Sequence, residues 1–223
     1  MSDEFKLENT WARIDVPPTI RESIYQRIKE AIIRGELKPG QKITERSMAS
    51  IFNISCGPVR EAFQKLSAEN FITISARKEV HVAYSTVDEI KELIEFVHTL
   101  DFIAVKRAIT NMDDEAIDEL KKMTNELGDL IGKDSLAFSE QNMKIHEKIW
   151  AVSGNAYLFK ALSLHTQKLI ILVNYFIFSK QPENLSSSYK KHTDLLEIFE
   201  HRDLRNAEKV IVNHWDWVLK YLA

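Results

Sequence analysis

A chain of 223 residues, 44% hydrophobic and 28% charged, is long enough for a small and a medium core and lacks the bias of a disordered polymer. Its single cysteine, Cys56, excludes an internal disulfide, and its first ten residues lack the basic-then-apolar order of a secretory signal, so the cytoplasm is the expected location. The longest apolar run, residues 169–178, is interrupted by Asn174 and falls short of the ~20 residues that cross a bilayer, which excludes a membrane span.

The net charge of -3 is unevenly spread. Residues 19–82 carry 11 Lys or Arg against 7 Asp or Glu, a balance of +4, which leaves -7 for the rest. A basic head on an acidic body permits a DNA-binding module.

Residues 1–18 end in Val16-Pro17-Pro18 without an apolar period and read as an N-terminal arm. Thr19 is placed to cap a first helix, in which Ile20, Ile24, Ile28, Ala31 and Ile32 recur at helical spacing until Gly35. Residues 37–43 form a turn with a short extended exit, and Thr44 beside Glu45 caps a second helix carrying Met48, Ile51 and Phe52. A third helix runs from about Gly57 with Val59, Ala62, Phe63 and Leu66 on its apolar face, and Pro58 suits its first turn. Residues 71–74 and 80–83 flank 75–79 as a two-stranded hairpin with a basic tip. Three helices and a hairpin over residues 19–83 is the order of a winged helix-turn-helix.

From residue 84 to 223 helical periods repeat between short breaks, at 86–110, 113–131, 135–152, 155–179, 185–200 and 204–222. The expected fold class is therefore mainly α, a winged helix-turn-helix followed by an all-α antiparallel bundle. No internal repeat of solenoid length is present.

A recognition helix puts its first residues into the major groove, where the base edges are distinguishable. Here those residues are Ser55, Cys56, Gly57, Pro58 and Arg60. Ser55 can cap the helix or bind phosphate, and Arg60 reaches a guanine edge or a phosphate. Arg46 is placed to clamp the backbone, and Arg77 and Lys78 at the wing tip reach a neighbouring groove. Each of these charges taken singly is also what a solvated surface carries.

In the bundle, Asn142 and His146 fall on the apolar stripe of Phe138, Ile145, Ile149 and Val152. His192 lies at core spacing among Leu185, Tyr189, Leu196 and Phe199, and His214 among Ala207, Ile211, Val218 and Tyr221. Four inward donors from three helices suit a divalent cation of the zinc, nickel or manganese class, the alternative being core histidines each bonded to a neighbour. His165, also on an apolar face, joins a pocket or fills the core.

Leu37-Lys38-Pro39-Gly40, Thr44-Glu45-Arg46 and above all PVREAFQKLSAENFI at 58–72 resemble the GntR family of bacterial regulators, and the bundle resembles the FCD ligand-binding domain of its FadR subfamily. The resemblance covers nearly the whole chain after Pro18. It implies DNA contact by Arg46, Arg60 and the residues before Pro58, and a metal on residues 142, 146, 192 and 214 that helps bind a small effector. Cys56-Gly57 stands where the family usually has Arg-Thr, Arg77-Lys78-Glu79 where it has a wing glycine, and Asn142 where it has Asp. His98 and Asp101 occupy places where the family more often has effector-binding Arg and Glu.

The function implied is a transcription regulator, a homodimer on a palindromic operator whose affinity an effector controls from the bundle. A metal-dependent enzyme on a helical bundle is the second reading, and a protein-binding adaptor the third. Against the enzyme, the bundle lacks the paired Glu-x-x-His motifs of di-iron sites and leaves the basic hairpin without a task.

Overall fold

The computed structural model describes residues 19–173 and 184–221. The expected arm, the end of the helix expected at 155–179, the break at Gln181-Pro182 and Leu222 lie outside the described residues.

Helix α1 (Ile20–Ile33) begins where the Thr19 side chain accepts from the Glu22 backbone N–H, and it buries Ile24, Tyr25, Ile28, Ile32 and Ile33. Strand β1 (Lys42–Ile43) leads into helix α2 (Glu45–Phe52), which opens on a reciprocal box between Thr44 and Ser47. Asn53, at φ 53°, closes α2 in the left-handed region that asparagine tolerates, and helix α3 (Cys56–Ala68) follows. Strands β2 (Ile72–Ile74) and β3 (Val80–Val82) pair antiparallel, with Thr73 opposite His81.

The wing differs from the expected hairpin in having a third strand. The extended exit at Lys42–Ile43 pairs with the far edge of β3, giving the order β1-β3-β2. A two-residue strand is invisible to period and visible only through its partner. At the wing tip Lys78 takes a φ of 61°, the left-handed backbone that a glycine would adopt freely. The chain holds that turn by bonds from Lys78 N–H to the Ser75 carbonyl and from Ser75 N–H to the Glu79 carbonyl.

After the wing, six described helices build the bundle: α4 (Val87–Asn111), α5 (Asp114–Asp129), α6 (Ser135–Val152), α7 (Ala156–Val173), α8 (Asn184–Glu200) and α9 (Ala207–Asp216). Helix α4 opens on a Thr86/Glu89 capping box and packs against α6, α7 and α9, while α5 closes over α6 and α8. The break after α6 is tied to α4, since Arg107 Nε and Asn111 Nδ2 both donate to the Ser153 carbonyl. The last helix starts later than expected. The Asp203 carboxylate accepts from the Arg205 and Asn206 backbone N–H groups and holds a turn there, and the chain tightens into a 3-10 segment at Trp217–Tyr221.

Two hydrophobic clusters form, one within the winged helix and one within the bundle. Leu136 of α6 belongs to the first of these, so the bundle inserts a side chain into the winged-helix core. No described helix is long and apolar enough to cross a membrane.

Candidate metal centre and nucleic-acid interface

Helix α6 presents Asn142 and His146 one turn apart, α8 presents His192 and α9 presents His214. The three imidazoles are buried, and one nitrogen of each lies within 4.8 Å of the others. The Ser188 carbonyl, four residues back on α8, is 2.9 Å from His192 Nδ1, which assigns the N–H there and leaves a lone pair on Nε2. That lone pair faces Asn142 Oδ1 at 3.0 Å. His214 repeats the pattern more loosely, with Nδ1 3.4 Å from the Lys191 carbonyl and Nε2 3.1 Å from His146 Nε2.

Two acceptors at hydrogen-bond distance repel unless the amide is turned or a cation lies between them. A cation with bonds of about 2.1 Å sets adjacent ligand atoms about 3.0 Å apart in octahedral and about 3.4 Å in tetrahedral geometry, so the 3.0 and 3.1 Å pairs suit one, and the set, whose nitrogens spread over 4.8 Å, must draw in to bind it with all three. The set is three neutral nitrogens and one neutral oxygen, suited to zinc, nickel or manganese and poor in charge.

Burial, reinforced by its two sister imidazoles, holds His146 well below the ordinary histidine range. Burial likewise lowers His214, and it lowers His192 to about 4. All three are neutral at pH 7, the form that binds metal. The cavity in front of them measures about 30 Å³ and is lined also by Thr166, Ser188 and Ile170. That is room for an ion and a water, and far below the ~300 Å³ at which organic-ligand pockets begin. Among the described residues, two buried polar atoms here have no partner: His146 Nδ1 and Thr166 Oγ1.

None of the three residues expected to line an effector pocket is among the described residues lining this cavity. Asp101 is fully buried behind the cluster, where its two oxygens accept from the Trp150 indole at 2.6 Å and the Trp215 indole at 2.8 Å. Burial raises its carboxyl to about 6 while the indole bonds oppose the rise. Both indoles wall His146, at ring separations of 5.5 Å and 5.1 Å, so Asp101 supports the site from behind. His165 packs edge-on to Phe96 at 4.9 Å, and neither it nor His98 is among the described residues lining the cavity.

At the other end of the molecule, the start of α3 leaves Ser55 and Gly57 exposed and Cys56 and Pro58 half-buried. Ser55 occupies the N-cap position, yet its hydroxyl bonds no backbone N–H and stays available to an anion. Arg46, Arg60, Arg77 and Lys78 are exposed. Arg46, Arg60 and Lys78 line one open groove between α2, α3 and the wing, together with Lys42 and Gln64. Arg60 is engaged there, donating through Nε and Nη2 to the two oxygens of Glu45 at 2.9 and 2.8 Å.

Residues 20–82 match the gntR family of bacterial regulatory proteins, and residues 92–216 match the FCD domain. The chain belongs to the GntR family of regulators and carries an FCD domain. It is 24% identical to the HTH-type transcriptional regulator YdhC of Bacillus subtilis, over 99% of this chain and 95% of that one. It is also 24% identical to the HTH-type transcriptional repressor GlaR of Escherichia coli, over 85% of this chain and 90% of that one. Its fold is that of the solved E. coli McbR/YncC, with a TM-score of 0.73 at 18% identity over 91% of this chain and 96% of that one.

In this GntR-family regulator, five candidate site residues, Gln64, Thr166, Glu45, Trp150 and Trp215, escape a reading of the sequence. Gln64 is one turn beyond Arg60 on the same exposed face, and helical spacing alone would have found it. Thr166 follows Leu162 and precedes Leu169 on a buried stripe, the same signal that marks Asn142 and His146. Glu45 and the Asp101 tryptophan pair depend on contacts between distant segments, which spacing does not carry.

Proposed function

We propose that this regulator binds a palindromic operator as a homodimer through the start of α3 and the wing, and that a divalent cation on Asn142, His146, His192 and His214 prepares its bundle for a small effector. The observation carrying the sensor half is the convergence of three buried imidazoles from three helices, one nitrogen of each within 4.8 Å of the others. When bound, the cation supplies a Lewis-acidic anchor for an oxygen of the effector, and the protein's part is to hold neutral imidazoles in place against two tryptophans. Because the cavity in front of them is so small, effector entry requires the helices around it to part, and one of these, α7, also touches α1 of the winged helix. The carboxylates of this site serve structure rather than catalysis, since Asp101 is engaged by two indoles.

The homodimer is supported by a face of α4 that is complementary to itself. Glu92, Phe96, Thr99, Ile103 and Lys106 are all exposed on it. Laid antiparallel against a second copy about Thr99, Glu92 meets Lys106 and Phe96 meets Ile103, an isologous contact. Phe96 is 42% and Ile103 43% exposed.

The test is binding to the upstream DNA of its own gene at several salt concentrations, with metal-stripped and nickel-loaded protein, beside Arg60→Ala. The expected result is salt-sensitive binding that Arg60→Ala weakens by about 10-fold or more. Equal, weak binding to that DNA and to unrelated DNA by all three proteins overturns the assignment.

A further inference from the structure

Arg60 and Glu45 come from different helices and meet side-on, through Nε to Oε1 and Nη2 to Oε2. A guanidinium carries five N–H donors in a rigid plane. The pair takes two of them on one edge and leaves the fork of the two terminal nitrogens free. The arginine side chain is 62% exposed against 33% for the glutamate, so the guanidinium stands out beyond the carboxylate that grips it. An exposed ion pair adds little to stability, and what this one supplies is direction.

Glu45 is also placed against the electrostatic interest of the groove. Arg46 and Lys78 line the same space and suit phosphate, whereas a carboxylate there repels it, and the groove's other carboxylate, Glu79, is already paired with Lys42. Its backbone is fixed, being the first residue of α2 directly after the Thr44 cap. Arg60 freed from Glu45 has the reach and flexibility to join the phosphate contacts. Arg60 held by Glu45 presents a planar fork of the kind that matches guanine O6 and N7.

We propose that Glu45 is a positioning residue that makes Arg60 a reader of guanine rather than a phosphate clamp, and that it lowers affinity for unrelated DNA by its own charge. This rests on the assignment of α3 as the DNA-reading helix. Removing Glu45 then separates two quantities that usually fall together, specific discrimination dropping while binding to unrelated duplex holds or rises.

The experiment uses duplexes selected by the full-length wild type from a randomised library, with each guanine of the selected site replaced in turn by 7-deazaguanine, which lacks the N7 acceptor. One replacement per half-site is expected to cost the wild type about 10-fold, to cost Arg60→Ala nothing further, and to cost Glu45→Ala less than about 3-fold. Glu45→Gln, which keeps the shape and loses the charge, falls between. Unrelated duplex at the same salt binds Glu45→Ala at least as tightly as wild type, and matching melting curves certify the fold. Full retention of the 7-deazaguanine penalty in Glu45→Ala overturns the proposal, as does a penalty that survives in Arg60→Ala. Failure of the wild type to select any sequence overturns instead the assignment of α3 to DNA.

Discussion

At the DNA-reading end the basic side chains stand in water, and two that line the groove, Arg60 and Lys42, are each held by a carboxylate on the surface, Glu45 and Glu79. In the bundle the three histidines are 2%, 2% and 4% exposed, and burial keeps them uncharged. The first arrangement works through charge that salt screens, and losing a side chain there costs little structure. The second presents imidazole nitrogens to a small buried cavity, where a change of one atom alters packing and protonation together and, on the proposed function, metal affinity with them. On the proposed function, such a regulator reads DNA with parts that can be replaced singly and senses with parts that cannot.

The comparison is sharpened most by changing the ligands. His192→Ala is expected to weaken nickel binding by at least about 100-fold, given that even outer-shell partners of a metal site are worth 10–100-fold. Asn142→Asp restores a carboxylate to a set that has none and is expected to tighten nickel by roughly 10-fold. Calorimetric titration of metal-stripped protein measures both. An Asn142→Asp protein with unchanged nickel affinity would show that the amide lies outside the coordination shell.

The next effect is on pH dependence. The lowered histidines bind protons in the unfolded chain from about pH 6.5 downward, but in the folded chain only at more acid pH, about 4 for His192. Stability of the metal-free protein is therefore full above pH 6.5 and is lost as pH falls toward 4. Asp101 has the opposite sign, because its raised value favours the fold below the ordinary aspartate range and that contribution fades as pH rises toward 6. Three histidines against one aspartate make the net slope positive through this window. Denaturant midpoints that stay level from pH 7 to pH 4.5 would contradict the burial of the imidazoles.

Much of this architecture was written locally. Thr19, Thr44 and Thr86 each stand at the start of a helix that their side chains cap, and the apolar stripes that placed His146, His192 and His214 inside are the stripes the structure buries. Where expectation and structure part, the deciding contact joins segments far apart in the chain. Strand β1 exists only because β3 accepts it, and Asp101 is bonded to indoles 49 and 114 residues distant. Arg60 could be proposed as a reader from its place in the helix, but its partner, on another helix, could not be named.

The smallest effect tests the cavity most directly. Thr166 is fully buried, lines the space before the histidines, and its hydroxyl has no partner among the described residues. A buried hydroxyl without a bond costs about 1–3 kcal/mol, and valine has the same shape without it. Thr166→Val is accordingly expected to raise the melting temperature of the metal-free protein by about 2–4 °C per kcal/mol relieved. With nickel bound, a water or effector oxygen on the ion gives the hydroxyl an acceptor, and the same substitution loses that gain. Differential scanning calorimetry with and without nickel reads the two signs. A metal-free variant that melts below wild type would mean the hydroxyl is already satisfied before any ion arrives, leaving the ion's own oxygen ligand no hydroxyl to recruit.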